Sequence, residues 1–480
     1  MKVGTGSLRT KATVLFSLAL LIGVVALWSA PNRAARADQA PMMSYRPPPI
    51  NSAKAALGKL LFFDMTLSNP VGQSCGSCHS PDEGFTFPNS EINQRYGVAT
   101  GAIPTRFGNR AVPTVAYGAF IAPGPPQYDA NLAAYVGGLF WDGRATDLAN
   151  QATFPEQNPN EMNDLIHNVF SLPLLVAKIQ NSPEGKLFAQ VFGWGIYQES
   201  PSIVFTDFSV AVSQFEQSTE VSPFSSKYDA WLAGRAQLTP EELDGLRLVT
   251  GSYSGRPGGP PYPTQAQCVL CHGIPSDPSQ GPDLWTNTCY ANVGVPRNPN
   301  NPYYKQTNPN TDPVGYNPQG ENYVDLGLGD YLYPHMGLPS GNMGPGNNGQ
   351  GDFLAINGAF KAPTLRNADK RPYPSFVKAY FHNGVFKDLK TVVHFYNTRN
   401  LTNEPGEVID FTQPNPYANL VGTPLFPEPE YPSPVTLQNP SGAPGSSSAQ
   451  VGNLGLTDKQ EDDIVAFIKT LTDGYEPQKR

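Results

Sequence analysis

The sequence predicts a mainly α-helical fold in which two similar units are connected by long irregular loops. Three observations support this prediction. Capped helix patterns recur along the chain, the pattern C-x-x-C-H occurs twice, and two long stretches are too rich in Pro, Asn and Gly for a packed helix or a central strand. The chain has 480 residues, which is more than one ordinary core holds, so two or three domains are expected.

The N-terminal segment, residues 1–37, predicts an export signal. Basic side chains precede an apolar run at residues 12–28, and the small-x-small sequence Ala-Arg-Ala at 35–37 predicts cleavage before Asp38. An uncleaved membrane anchor is the alternative, although the run barely reaches the length that spans a bilayer. Export would place the mature protein in the periplasm.

The mature chain is predicted to be acidic. Removal of residues 1–37 takes away five basic residues and no acidic residue, so the formal net charge changes from −8 to −13. This charge argues against nucleic acid as a partner and favours a basic partner protein. No other segment is long and apolar enough to cross a bilayer, so no transmembrane span is expected in the mature chain.

Helix signals occur from the start of the mature chain towards its middle. The segments 52–64, 171–180 and 207–218 are helix candidates. In "LTPEELDGLRLV", Thr239 is the predicted N-cap, a proline takes the first helical position, and Glu242 is the reciprocal capping partner. This helix leads towards the second C-x-x-C-H motif.

The C-terminal segment "LTDKQEDDIVAFIKTLTD" repeats the same capping pattern with Thr457 and Gln460. Its apolar residues recur at helical spacing and predict an amphipathic helix. The residues on the apolar face are Ile464, Phe467, Ile468 and Leu471.

Two long surface loops are predicted at residues 294–351 and 402–452, because Pro, Asn and Gly interrupt any regular element there. Each C-x-x-C-H motif is preceded by a helix pattern, so the chain contains a weak internal repeat. We therefore expect an N-terminal domain at 38–235 and a C-terminal domain at 236–480.

The two C-x-x-C-H motifs use four of the five cysteines. The pattern fits covalent haem attachment, in which two thiols add to the haem vinyl groups and the adjacent histidine reaches the iron from the same side. Export supports this interpretation, because such attachment takes place outside the cytoplasm. The predicted ligands of the two c-type haems are Cys75, Cys78 and His79, and Cys268, Cys271 and His272.

Other uses of these cysteines are open at this point. A zinc site would need all four thiols around one ion, a thioredoxin-like pair would sit in a βαβ unit, and a disulfide across two residues is strained. The fifth cysteine, Cys289, is interpreted as a buried free thiol.

Two haem motifs in an exported chain of this size resemble the bacterial di-haem cytochrome c peroxidase superfamily, which includes the MauG-type enzymes that oxidise partner proteins. The similar segments are "LGKLLFFDMTLS", "FWDGRATDLANQATFPEQNPNEM", "LTPEELDGLRL", "FKAPTLRN", "AYFHNG" and "LTDKQEDDIVAFIKTL". The resemblance implies two cytochrome c-like haem domains, with a peroxidatic haem in the first and an electron-transfer haem in the second.

The resemblance also implies the peroxide pocket. Gln151, Pro155 and Glu161 would face the open side of the N-terminal haem, and Trp141 would lie between the haems. A carboxylate beside an open iron site can take a proton from one peroxide oxygen and return it to the other. The alternative interpretations are a helix N-terminal carboxylate for Glu161 and a core aromatic for Trp141.

Two departures from the peroxidase pattern favour a MauG-like member. No histidine occurs between His79 and His167, so the first haem is expected to have no histidine to displace. Fourteen residues after His382 the peroxidases have a methionine ligand, whereas this chain has Tyr396, as MauG-type proteins do. A phenolate is hard and anionic, so it favours higher oxidation states of iron. The alternative ligands are His394 and Met336.

Calcium between the haems is doubtful. The family motif R-N-x-P-T supplies an asparagine to that ion, and here Ala111 takes its place, with Asn109 or backbone carbonyls as possible substitutes. His382 is expected to be structural, orienting the second haem or its propionates.

The predicted function is reduction of hydrogen peroxide at the open N-terminal haem, with oxidising equivalents stored or relayed by the Tyr396-ligated C-terminal haem. A protein substrate would be the partner of such a MauG-like enzyme. The alternative within the class is a peroxidase fed by a small soluble cytochrome or cupredoxin. From other classes, a non-catalytic di-haem electron-transfer protein and a surface protein acting through its loops are also considered.

Overall fold

The computed structural model describes residues 45–132, 134–306, 319–335, 356–399 and 451–477, together with five single residues: Met1, Asn317, Phe426, Glu430 and Tyr431. The predicted export signal, apart from Met1, most of the predicted loop at 402–452 and part of the predicted loop at 294–351 lie outside this part of the chain. Contacts group Ala40–Arg480 into one compact unit. The division at residue 235 stays a prediction.

Helices dominate the described residues, which confirms the predicted fold class. In chain order the α-helices are α1 Ser52–Phe63, α2 Cys75–Cys78, α3 Ser90–Arg95, α4 Leu148–Gln151, α5 Phe154–Gln157, α6 Leu172–Asn181, α7 Gly185–Phe192, α8 Pro201–Glu216, α9 Lys227–Leu232, α10 Pro240–Thr250, α11 Leu328–His335, α12 Leu389–Thr398 and α13 Asp458–Lys469. Within the described ranges, none of these helices is long and apolar enough to span a membrane.

The strands are short and form three antiparallel pairs in the described chain. These are β1 Gln127–Asp129 with β2 Ala134–Val136, β3 Leu165–Ile166 with β4 Val169–Phe170, and β5 Tyr290–Ala291 with β6 Phe360–Lys361. The last pair joins segments that are far apart in the sequence.

The predicted caps are confirmed. Thr239 accepts a hydrogen bond from the backbone N–H of Glu242 at the start of α10, and Thr457 accepts one from Gln460 at the start of α13. The helix expected at 207–218 begins earlier, at Pro201, where Ser200 adopts an extended conformation and proline fits the first helical position. Helix α11 lies inside a segment predicted as loop, because the short run 328–335 is locally apolar.

Both halves of the chain use the same packing device. Gly58 of α1 lies against the backbone of Ala211 in α8, and Gly245 of α10 lies against the backbone of Asp463 in α13. In each case a side chain at the glycine would collide with a backbone carbonyl, so the helices cross only because the residue is glycine. In each pair, the first helix, α1 or α10, precedes one C-x-x-C-H motif in the chain.

Two large hydrophobic cores surround these crossings. The first draws nearly all its residues from the first half of the chain, and the second draws all its buried residues except Tyr228 from the second half. Among the fully buried members are Leu57, Leu61, Phe188 and Phe208 in the first core, and Tyr228, Leu246, Trp285 and Phe467 in the second.

Candidate active site

The first C-x-x-C-H motif lies against a large cavity. Cys75 and Cys78 bound helix α2, and both line the cavity together with His79. The Nδ1 atom of His79 lies 3.1 Å from the carbonyl oxygen of Phe85, so it carries the proton and donates it there. Burial lowers the pKa of His79 to about 4, against the effect of that carbonyl. The imidazole is therefore neutral, with Nε2 available as a ligand.

The second motif repeats this arrangement. Cys268, Cys271 and His272 line a second cavity. The Nδ1 atom of His272 lies 3.0 Å from the carbonyl oxygen of Pro363, and burial lowers the pKa of His272 to about 4. The same backbone contact thus orients both imidazoles with Nε2 left for a metal.

The two cavities fit two haems attached through thioethers. They span about 1670 and 1520 Å³ of space outside protein atoms, part of it open to solvent, and each has two free thiols and one neutral imidazole in its wall. A single zinc site for all four cysteines does not fit, because the pairs line different cavities. In the described residues no group of three or more His, Cys, Asp or Glu side chains could hold a metal ion.

The side chains predicted for the peroxide pocket meet at the first cavity. Gln151 ends α4, Pro155 lies in α5, and Glu161 lies in the loop that follows, and all three line the wall. Because this loop leads into β3, Glu161 is not at a helix N-terminus, and that alternative interpretation was wrong. The carboxylate of Glu161 accepts a hydrogen bond of 2.7 Å from Asn158 Nδ2.

The pKa of Glu161 is raised by burial, while Arg144 and the Asn158 hydrogen bond oppose the increase. Arg144 also lines the first cavity, and its guanidinium stacks 3.7 Å above the ring centre of Phe140. The pocket therefore places a cation near the carboxylate. Sequence reasoning missed Arg144, although it lies inside the quoted "FWDGRATDL" segment.

Trp141 lines both cavities, as do Lys361 and residues 362–364. The indole Nε1 donates a hydrogen bond of 2.8 Å to the carbonyl oxygen of Ala111. This contact holds the indole in the wall between the two candidate haem sites, where an aromatic ring can carry an electron or a hole.

Tyr396 reaches the second cavity from α12 and lines it together with the second C-x-x-C-H motif. His394, two residues earlier, faces away and lies 2.9 Å from Glu461 Oε1 through its Nδ1 atom. His394 does not line the cavity, so it is not placed to be the ligand. The other alternative, Met336, lies outside the described residues.

Comparisons with known proteins identify the family of this chain. A family model described as di-haem cytochrome c peroxidase matches residues 52–237. The methylamine utilization protein MauG of Paracoccus denitrificans is 32% identical over 440 residues, which cover 89% of this chain and 91% of that protein. The chain belongs to the di-haem cytochrome c peroxidase and MauG family.

Two further relatives agree with the family assignment. Cytochrome c551 peroxidase of Nitrosomonas europaea is 34% identical over 229 residues, or 48% of this chain and 54% of that protein. The crystal structure of the diheme peroxidase BthA from Burkholderia thailandensis matches with a TM-score of 0.61 and 30% identity, covering 91% of this chain and 89% of that chain. The present chain is thus a peroxide-dependent di-haem oxidoreductase that uses haem and an electron donor.

The first cavity has few side chains in its wall that could bind iron. His79 is the only histidine among the residues that line it in the described chain, and Met162 is the buried thioether in the wall. Apart from His79 and the two motif cysteines, Met162 is therefore the described side chain of the wall with a sulfur or imidazole donor.

Calcium between the haems stays a doubtful prediction. Ala111 presents a methyl group, and its carbonyl oxygen accepts the indole N–H of Trp141. The amide of Asn109 donates to the hydroxyl of Tyr323 at 3.0 Å. His382, expected to be structural, is buried, stacks on Phe360 with ring centres 3.4 Å apart, and lines the second cavity.

A buried charge network lies between the two sites. Arg110 makes two hydrogen bonds of 2.7 Å to Asp325 and one of 2.6 Å to Asp142, and Asp142 also accepts two of 2.9 Å from Arg144. Burial opposes ionisation of Asp142, but the two arginines outweigh it and lower its pKa to about 2. The network fixes the guanidinium of Arg144 beside the peroxide pocket.

Asp142→Asn is expected to lower the free energy of unfolding at pH 7 by about 3 kcal/mol, because it removes the buried carboxylate that pairs with both Arg110 and Arg144. The pKa of Asp142 is depressed from 3.8 to about 2, so its contribution is present above pH 3.8 and is lost as the pH falls through about 2. Urea unfolding between neutral and acidic pH tests this. The matched control is Asp462→Asn, whose carboxylate is 62% exposed and should change stability by under about 1 kcal/mol.

Proposed function

We propose that the protein is an exported, periplasmic enzyme that reduces hydrogen peroxide at an open N-terminal haem and stores or relays oxidising equivalents at a C-terminal haem. In this proposal the first haem is attached to Cys75 and Cys78 and ligated by His79. The second is attached to Cys268 and Cys271 and ligated by His272 and Tyr396. The observation that carries it is the lining of the second cavity, where Tyr396 lies together with the three motif residues.

When bound, the haems supply the iron chemistry that splits the O–O bond and exchanges electrons. Side chains of the protein transfer the proton and position the peroxide. Glu161, held by Asn158 and facing Arg144, would accept a proton from one oxygen of peroxide and return it to the other. Gln151 orients the peroxide by hydrogen bonding, and Pro155 closes the wall without adding a competing donor.

Trp141 connects the two sites in this proposal. Its ring is shared by both cavity walls and is fixed by the Ala111 carbonyl. A rigid ring with a fixed hydrogen bond needs little rearrangement when it gains or loses an electron.

The electron donor follows from the charge of the mature chain. A net charge of −13 after removal of residues 1–37 attracts a basic partner, and a small cytochrome or cupredoxin has a suitable size. A protein substrate, as for a MauG-type enzyme, is the second candidate, favoured by Tyr396. Steady-state turnover with a basic c-type cytochrome, measured against ionic strength, separates the two. A salt-sensitive rate supports the small donor, and no turnover favours the protein substrate.

Addition of one equivalent of hydrogen peroxide to the fully oxidised protein, without reductant, is expected to bleach the haem absorbance rapidly and to give a long-lived oxidised state. The reason is that no second histidine lines the first cavity in the described chain. Stopped-flow absorbance is the measurement. Absence of any change until one electron is supplied would contradict the open site. Met162→Leu is the control, because it removes the buried thioether and should leave the reaction unchanged.

A further inference from the structure

Three acidic side chains behind the first cavity have no role in the mechanism above. Glu156 is fully buried, and neither of its carboxyl oxygens has a hydrogen-bond partner. Glu216, at the end of α8, is 2% exposed, lines the cavity, and has an unpartnered Oε2 atom. Asp164 is also fully buried, with Oδ2 unpartnered. Buried carboxyl groups of this kind require an explanation, because structural ones are normally hydrogen-bonded.

These groups face one another and the active site. Besides burial, the charges of Asp164, Glu161 and Glu216 raise the pKa of Glu156. Burial and the charges of Glu156 and Glu216 likewise raise the pKa of the Cys75 thiol. The backbone N–H of Asp164 donates to the carbonyl oxygen of Glu156 at 2.8 Å. The set therefore extends from the first cavity, which Glu216 lines, to Asp164, which is bonded to the backbone of Glu156.

The outer end of the group reaches towards solvent. Lys178 Nζ donates to Asp164 Oδ1 at 2.6 Å, and the Lys178 side chain is 14% exposed. The order from outside to inside is thus Lys178, Asp164, Glu156, and then Glu161 and Glu216 at the cavity wall. The cations that face these acids are Lys178 beside Asp164 and Arg144 beside Glu161.

Burial raises the pKa values of the inner acids. It raises the pKa of Glu216 to about 8, and it raises the pKa of Glu156 well above its usual range, with Asp164, Glu161 and Glu216 adding to the effect. Burial likewise raises the pKa of Asp164 to about 6, although Lys178 opposes it. At neutral pH the inner carboxyl groups hold protons that they can give to the cavity.

We propose that Asp164, Glu156 and Glu216 form a proton-entry path to the first cavity, separate from Glu161. The proposal rests on the peroxide reduction described above. Reduction of one hydrogen peroxide to two waters consumes two electrons and two protons. Glu161 only moves a proton that peroxide already carries, so both additional protons come from solvent, and a one-electron donor supplies the electrons.

Each transfer along the path is balanced. Glu216, in the cavity wall, gives its carboxyl proton to an oxygen atom in the cavity and becomes a carboxylate, and Glu156 then gives its own proton to Glu216. Solvent returns a proton through Asp164, with water carrying it between carboxyl groups that do not touch. A buried carboxylate beside other acids is unstable, which drives the refilling step.

The test compares Glu156→Gln and Glu216→Gln with the wild-type holoenzyme in sequential stopped-flow mixing. Peroxide is added first, and ascorbate then returns the enzyme to its resting state. The peroxide step is expected to stay within about twofold, whereas the return step is expected to slow by roughly tenfold or more and to show a larger solvent deuterium isotope effect. Glu220→Gln is the control, because Glu220 is 59% exposed and pairs with Lys59 at the surface.

Infrared spectroscopy provides a readout that does not depend on turnover. A carboxylic acid C=O band is expected at neutral pH, reduced in each Gln variant and unchanged in Glu220→Gln. Return rates and isotope effects equal to wild type in both variants, or an acid band that neither variant reduces, would overturn the path. Failure of the oxidised wild-type enzyme to react with peroxide would contradict the open haem site alone, because the return step can still be measured after reductive activation.

Thermal unfolding shows whether the Gln variants fold. The pKa of Glu216 is raised from 4.5 to about 8, so the stability it contributes is present below pH 4.5 and is lost as the pH rises through about 8. Glu216→Gln is therefore expected to unfold at a higher temperature than wild type, by a margin that grows across this pH range. A margin that does not change with pH would contradict a protonated Glu216.

Discussion

Glu161→Gln is expected to slow the reaction with hydrogen peroxide by roughly 10²- to 10⁴-fold while both haems stay attached. Glutamine keeps the size of the side chain and its contact with Asn158, but it cannot accept a proton. Stopped-flow mixing with peroxide gives the rate, and the alkaline pyridine spectrum gives the haem content. A fast reaction in this variant would mean that Glu161 is not the proton acceptor.

The pH dependence of the same rate gives a second check on Glu161. Its pKa is raised by burial and held back by Arg144 and Asn158. Only the carboxylate accepts a proton, so the rate should fall as the pH decreases through this raised pKa. In Arg144→Gln the opposing cation is lost, so the acid limb should move to higher pH. An unchanged acid limb would show that Arg144 does not act on Glu161.

Both outcomes also separate the enzyme from a non-catalytic electron carrier. An electron carrier needs its haems but not a carboxylate in the first cavity, so Glu161→Gln would leave its electron transfer intact. The packing explains why Glu161 is the informative residue. Glu161 lines the first cavity, where His79 is the only histidine among the described lining residues, so no second imidazole there can accept the proton in its place. Gln151 and Pro155 also line the cavity, but neither side chain can accept a proton from peroxide.

The sequence predicted those parts of the site that are local in the chain. Cys75, Cys78 and His79 come together because they are neighbours, and the capped helices α10 and α13 follow from residues three positions apart. Glu161 was predicted from a resemblance, because its loop gains its meaning only when it folds onto the cavity. In each case the residues needed for the prediction lie in one short segment of the sequence.

The residues that were missed depend on distant contacts. Glu216 lies in an apolar helix, and nothing in its neighbourhood shows that it lines the same cavity as Cys75. Arg144 acquires its position through Asp142 and Arg110, whose other partner Asp325 is far along the chain. The Phe85 and Pro363 carbonyls that orient the histidines are backbone atoms, so no residue type marks them.

Tyr396→Met is expected to raise the midpoint potential of the C-terminal haem by on the order of 100 mV or more, because axial ligands set haem potentials over a range of about 0.8 V. A phenolate is anionic and stabilises higher oxidation states, whereas a thioether stabilises the reduced iron. Tyr396 is partly buried and lines the second cavity, and a methionine has a similar length, so it can occupy the same place in the wall. Spectroelectrochemical titration measures the potential.

Two matched variants locate the effect in the phenol oxygen. Tyr396→Phe keeps the ring and its packing against Phe381 and Phe395 but removes the oxygen, so the absorbance bands of the second haem should change while the fold is retained. His394→Gln removes the nearby imidazole that contacts Glu461 and should leave both the potential and the spectrum unchanged. A spectrum that changes in His394→Gln but not in Tyr396→Phe would assign the ligand to the histidine.

The consequence for function follows from the sign of the change. A haem that favours its higher oxidation states can keep an oxidising equivalent after peroxide has been consumed, and Trp141 in the shared wall connects it to the first site. In Tyr396→Met the second haem would instead hold an electron at high potential, as a donor-fed peroxidase requires. The long-lived oxidised state that peroxide produces in the wild-type protein should therefore shorten in this variant. An equally long lifetime would show that the oxidising equivalent is stored elsewhere, with Trp141 as the next residue to replace.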